Sequence, residues 1–166
     1  MTALDVSRPT GDPGRRHPIH QPVYLAGNRS VVIFVTVNTH QRKSILGRAE
    51  AVEVLVRAWK AADAWLVGRY VVMPDHVHLF CAPRDLTVEL RRWVRFWKSL
   101  ASRWWPWVED QPIWQLDFWD TQLRRGESYA AKWDYVWRNP QRRGLVTEPS
   151  AWPYAGELNV LAWHEA

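Results

Sequence analysis

The sequence predicts an α+β domain, a sheet of about four mostly antiparallel strands with helices packed on one face. Three observations carry that expectation. Two β-rich stretches, Trp65 to Met73 and His76 to Ala82, are separated only by Pro74-Asp75, which reads as a hairpin with a tight connection. The segment from Asp85 or Thr87 to Trp105 places Leu90, Trp93, Val94, Trp97, Leu100 and Trp104 on one helical stripe. Strand-like and helix-like stretches follow one another as β-α-β-β-α-β-α, an order that favours an antiparallel sheet layered with helices.

The elements follow in order. Val31 to Asn38 is β-branched and too apolar for an exposed edge strand. Arg48 to Ala62 is rich in Ala, Val, Leu and Glu and reads as the first helix. The hairpin comes next. The second helix is expected to be capped by Asp85 or Thr87 and is stopped by Pro106. Trp114 to Leu123 is a further strand. Glu127 to Arg138 is the third helix, interrupted by Asn139-Pro140, with Gly144 ending a short continuation.

Composition bounds the function. The 166 residues carry 22 Lys+Arg against 17 Asp+Glu, a net charge of +5, which favours polyanionic partners. The single cysteine, Cys81, excludes an intramolecular disulfide and a cysteine-based zinc site; it reads as an inert core residue. No apolar run reaches the length of a membrane span, and Met1 to Arg16 lacks the apolar stretch of a secretory signal. Residues 1–24 are expected to form a flexible basic arm and 25–166 a single domain. Thirteen tryptophans exceed what a core of this size needs, so some are expected on a surface as a platform for stacked bases.

Three constellations carry chemistry. In His76-Val77-His78, strand alternation puts both imidazoles on one face. Two half-buried sheet histidines satisfy that pattern, and so does a pair binding one divalent cation. On the third helix, at about 100° per residue, Tyr129, Trp133, Val136 and Trp137 share the packing face. Tyr135 and Asn139 point elsewhere, at i and i+4. Tyr135 is therefore either a surface residue or a functional hydroxyl, and Asn139 can offer a carbonyl oxygen to a hard cation. The third constellation is basic. Arg91, Arg92, Arg95 and Lys98 lie beside the tryptophan stripe, and Arg124, Arg125, Arg142 and Arg143 flank the tyrosine helix. Such runs form either a solvated face or a phosphate-binding surface.

Taken together, MPDHVHLF (73–80), the helix ending WKS (97–99), IWQLDFWDTQLRRGESY (113–129), WDYVWRNPQRRGLV (133–146) and WPYAGEL (152–158) resemble the REP-associated branch of the single-tyrosine HUH transposases. The resemblance spans roughly residues 31–158. It rests on His-x-His, a Tyr-x-x-x-Asn-Pro about 55 residues later, Gly-Leu-Val, and Trp-Pro. It implies a ferredoxin-like or RRM-like sheet and Mg²⁺ or Mn²⁺ held by His76, His78 and Asn139. Tyr135 would be the nucleophile that forms a covalent 5′-phosphotyrosine on single-stranded, hairpin-containing DNA. It also implies a cytoplasmic, nucleoid-associated protein, monomeric or homodimeric. The chain departs from the family at Asp75 and at Gln141-Arg142-Arg143, and neither is expected to touch the catalytic atoms. Three other readings remain at this point: a non-catalytic single-stranded nucleic-acid-binding module, a metal nuclease in which water attacks, and an α/β domain whose tryptophans face a protein partner.

Overall fold

The computed structural model describes residues 31–124 and 128–162. The basic arm proposed for 1–24 and Arg125 lie outside them. The elements are β1 Ile33–Asn38, α1 Ala49–Ala61, β2 Trp65–Val72, β3 His76–Pro83, α2 Leu90–Trp104, β4 Trp119–Gln122, α3 Tyr129–Trp137, α4 Asn139–Arg142 and β5 Ala155–Glu157. The sheet has five strands in the order β4-β1-β3-β2-β5, and every pairing is antiparallel. The fifth strand, three residues of Ala-Gly-Glu, has no hydrophobic pattern to announce it.

The pleat divides the residues between two layers. Ile33, Val35 and Val37 of β1 join Val77, Leu79 and Cys81 of β3 in one core. The amphipathic faces of α1 (Ala51, Leu55, Ala58, Trp59) and α2 (Leu90, Trp93, Val94, Trp97, Ala101) cover it. On the opposite face Val71, Met73 and Phe80 pack with Tyr129 and Val136 of α3. The expectation of helices on one face is therefore corrected. An amphipathic stripe specifies that a helix packs but not which side of a sheet it covers.

Gly68 sits where β2 shifts register against β3, between Val67 and Tyr70. A Cβ there would lie 2.6 Å from Leu161 Cδ1, so the glycine lets the C-terminal segment lie against the strand. Gly144 has φ of 70° and ends α4 as expected.

The tryptophan expectation changes most. Trp59, Trp65, Trp93, Trp97, Trp105 and Trp114 are buried in the core beneath α1 and α2. There Trp97 packs edge to face against Trp59 at 5.9 Å and Trp114 at 5.5 Å, and Trp65 stacks on Trp93 at 6.1 Å. Among the described tryptophans only Trp119 is exposed.

The second helix starts later than expected. Asp85 Oδ1 accepts from the backbone and hydroxyl of Thr87, which closes a turn, and Glu89 occupies the N-cap without a side-chain bond. The strand expected over 114–123 is split. Trp114 bridges Thr39, and the ladder resumes only at Trp119. Between them Lys98 Nζ donates to the carbonyls of Gln115 at 2.7 Å and Leu116 at 3.3 Å. Lys98 is 7% exposed. Burial first, then the charge of Arg95, push its ammonium down to about 8, against the pull of Asp117.

Lys98 therefore behaves as a clip rather than a solvated side chain. Lys98→Ala should destabilise the fold by about 1–3 kcal/mol by leaving two carbonyls unpaired. Arg91→Ala or Arg95→Ala, on the exposed side of α2, should stay within about 0.5 kcal/mol. Urea unfolding checks this, and equal midpoint shifts for Lys98→Ala and Arg91→Ala would contradict it.

Candidate active site

β3 has a paired strand on each edge, and the alternation that buries Val77 and Leu79 under α1 and α2 puts His76 and His78 on the opposite face, the one on which α3 packs. His76 is 5% exposed and His78 is half-buried. Asp75, directly before the strand, places Oδ1 2.7 Å from His76 Nδ1. Across the ladder Thr36 pairs with His78, and its Oγ1 lies 2.8 Å from His78 Nδ1. With each Nδ1–H donated to its oxygen partner, both Nε2 atoms carry lone pairs. Those two Nε2 atoms are 3.1 Å apart.

That spacing has a geometric meaning. Cis ligands of an octahedral cation with bonds of about 2.1 Å lie about 3.0 Å apart, whereas tetrahedral ligands would lie about 3.4 Å apart. The Asn139 amide nitrogen is 3.4 Å from His76 Nε2, and rotating the amide brings Oδ1 to that position. His76 and His78 are thus spaced as neighbouring ligands of one divalent cation, with Asn139 beside His76 as a further potential donor. Among the described residues no group of three or more His, Cys, Asp or Glu is placed to hold a metal ion.

The electrostatics keep the imidazoles neutral. Burial, then the charges of His76, Arg142, Arg42 and Lys132, pushes His78 down to about 3. Burial also lowers His76, although its bond to Asp75 opposes this. For Asp75, burial acts upward, but the His76 hydrogen bond and the charges of His76, Arg42 and Arg143 outweigh it and hold the carboxyl below its usual range. Arg42 grips Asp75 Oδ2 through Nε at 3.0 Å and Nη2 at 2.9 Å, and donates from Nη1 to Asn38 Oδ1 at 2.6 Å. Gln41 and Arg42 hold φ of 53° and 56°, a left-handed turn that costs free energy in non-glycine residues and that these bonds offset.

Ser128 caps α3, its Oγ accepting from Ala131 N. Tyr129 and Val136 are buried, Trp133 and Trp137 half-buried, and Tyr135 is 62% exposed. The expected packing face is the observed one. Pro140 cannot extend the α3 ladder, so the helix stops at Trp137 and restarts at Asn139, whose side chain reaches His76. Lys132 Nζ sits 5.0 Å over the Phe34 ring, which stacks on His78 at 5.3 Å. Lys132 and Asn139 therefore both reach the histidine side, and Tyr135, between them in sequence, is exposed about 40–60° further round the helix. Arg142 lies 4.0 Å over the Tyr135 ring and donates to the Tyr135 carbonyl at 2.6 Å.

No protein-family model matches the chain. It is 26% identical over 125 residues to the REP-associated tyrosine transposase of Escherichia coli (strain K12), covering 74% of this chain and 73% of that protein. The chain is thus similar in sequence to the REP-associated tyrosine transposases. A solved structure of a REP-associated tyrosine transposase bound to a REP hairpin has the same fold. It aligns with a TM-score of 0.65 at 23% identity, over 85% of this chain and 79% of that one.

Among the described residues the expected basic residues do not form one surface. Arg91, Arg92 and Arg95 are exposed on α2, across the sheet from the histidines, and Lys98 is buried. Arg124 is exposed just after β4. Arg142 and Arg143 reach the site, the latter 3.6 Å from Asp75. The expectation that Asp75 and the Gln141-Arg142-Arg143 segment stand away from the site is thus corrected. Sequence reasoning also missed Thr36, Arg42 and Lys132. Thr36 and Arg42 enter through the β1–β3 pairing and a left-handed turn, neither of which has a local pattern. Lys132 could have been found, three residues before Tyr135 on the same edge.

The depressed histidines link stability to pH. The unfolded His78 takes a proton below about 6.5 and the folded one only near about 3, so stability should fall as pH falls through that window. His76 acts in the same direction, and Asp75 adds a loss at lower pH as its carboxylate protonates. Urea midpoints measured from about pH 7.5 to about pH 5 should decline in the native chain and decline less in His78→Gln. An identical pH slope in the two proteins would contradict the assignment.

Proposed function

We propose that the chain is a metal-dependent DNA strand-cleaving and rejoining enzyme, a transposase working through a covalent tyrosine–DNA link. The observation that carries the reading is the pair of imidazole Nε2 atoms 3.1 Å apart, beside a helix that presents an exposed tyrosine. Kinship with a REP-associated tyrosine transposase, and a fold shared with one bound to a REP hairpin, support DNA as the substrate. A hairpin with an unpaired flank is the form of DNA this reading favours.

His76, His78 and Asn139 would hold Mg²⁺ or Mn²⁺, which when bound would supply Lewis-acid polarisation of a phosphate oxygen. The remaining work falls to the chain. Asp75 and Thr36 hold the two rings in the tautomer that exposes Nε2. The Tyr135 hydroxyl attacks phosphorus in line, the P–Oη bond forms, and the P–O3′ bond breaks. The phenolic proton is balanced by the proton the departing 3′ oxygen takes up. The 5′ phosphate stays on Tyr135, and a later 3′ hydroxyl reverses the step. Arg142, stacked on the Tyr135 ring, places positive charge beside the developing phenolate. No nucleotide cofactor is needed, because the phosphodiester energy is retained in the covalent link.

Tyr135→Phe tests the reading with little structural disturbance. Its oxygen is exposed and carries no packing role, so unfolding free energy should change by no more than about 1 kcal/mol. Incubation with tailed hairpin oligonucleotides and Mn²⁺, followed by a denaturing gel, should give a covalent band with the native chain and none with the variant. Tyr129→Phe should retain the band. An adduct in Tyr135→Phe would move the nucleophile to another residue. Cleavage without any adduct would replace the transposase reading with a water-attacking nuclease.

A further inference from the structure

Among the described residues, the β4 end of the site face, beside the histidines, is exposed. Helix α3 covers the β3–β2 side through Tyr129, Trp133 and Val136, which pack on Phe80 and Val71. On the other side, β4 pairs with β1 so that Thr36 stands opposite both His78 and Trp119, and Phe34 opposite both Phe80 and Thr121. Directly paired residues of an antiparallel ladder share a face. Trp119, Thr36 and His78 therefore form one cross-strand row on the site face. Along β4 the site-face residues Trp119 and Thr121 are exposed, whereas Asp120 and Gln122 on the other face are half-buried.

We infer that Trp119 is a stacking platform for an unpaired nucleobase next to the phosphate held at the histidine pair, and so a residue that positions single-stranded DNA for cleavage. The inference rests on the proposed DNA-cleaving function and assigns a residue to a step which that reading leaves open. Three observations select this occupant. Two strand spacings, about 10 Å, separate Trp119 from His78, a distance one nucleotide can bridge from its phosphate to its base. The open floor between them is polar and aromatic (Thr36, Phe34), and its wall carries Lys132 over Phe34, a cation suited to the backbone of a strand crossing there. The indole is 45% exposed, and among the described tryptophans it alone is not buried or half-buried. A protein with this many indoles in its core that leaves one on the site face has a flat, sequence-tolerant π surface where an unpaired strand would run.

The test uses Tyr135→Phe protein, which binds without cutting, and a fluorescent hairpin oligonucleotide with a single-stranded tail, taken as the tightest binder from a panel of tail sequences. Adding Trp119→Ala should weaken binding about 5- to 100-fold, the range expected for losing one stacked base, and Trp119→Phe should recover most of it. Replacing tail nucleotides one at a time by abasic sites should abolish the Trp119→Ala penalty at one position and leave it elsewhere. A loss of affinity through general misfolding would not depend on one base. If Trp119→Ala binds as tightly as its parent, or its penalty is the same on every abasic oligonucleotide, the inference is overturned. If Trp119→Ala instead leaves DNA affinity intact and dissolves a dimer in sedimentation, the exposed indole is a self-association contact and the inference again falls. These outcomes are separate from failure of the underlying reading, which would appear as a native chain that neither binds the panel nor forms the covalent band.

Discussion

The structure depends on the placement of β3 in the middle of an antiparallel sheet. The α1/α2 layer covers one face of that strand, so every second side chain must be apolar there, and Val77, Leu79 and Cys81 meet that need. The intervening positions then share the opposite face. A one-residue slip would send His76 and His78 into the tryptophan-filled core and expose Val77. The large apolar area under α1 and α2 thus fixes where two imidazoles stand, and the cost of a register error protects the site.

Around that strand the orientation of His76 is maintained by neighbours from three directions. Thr39 donates to the Asp75 carbonyl from both its backbone and its hydroxyl, which ties the β2–β3 connection to the end of β1. Arg42 and Arg143 hold the Asp75 carboxylate while it orients His76. Asn38, which receives Arg42, is in turn bonded to Gln115, whose carbonyl accepts from Lys98. A chain of hydrogen bonds therefore runs from the buried lysine of α2 to the edge of the site. The strained turn at Gln41-Arg42 is one place where local conformation is subordinated to it.

Much of this was legible in periodicity. The alternation of β3 and the buried and exposed faces of α3 follow from residue spacing, so His76, His78, Tyr135 and Asn139 could be named before any coordinates. What spacing does not encode is partnership between distant segments. Thr36 enters the site only through the β1–β3 register, and Arg42 through a left-handed turn. Lys98 sits next to Trp97 on the helical stripe, and its charge suggests solvent, yet two carbonyls of a broken strand draw it inside. The tryptophan excess predicts surface chemistry, but six indoles lie in the core beneath α1 and α2, and among the described tryptophans only Trp119, placed by the β4 register, is exposed on the site face.

The central claim is that the two Nε2 atoms share one cation. Electron–nuclear double resonance on the Mn²⁺-loaded chain reads this directly, because a nitrogen bound to Mn²⁺ imposes a resolvable hyperfine coupling. The account predicts two imidazole nitrogen couplings in the native chain, reduced to one in His78→Ala. A Mn²⁺ signal with no imidazole nitrogen coupling, or one unchanged by removing His78, would contradict it.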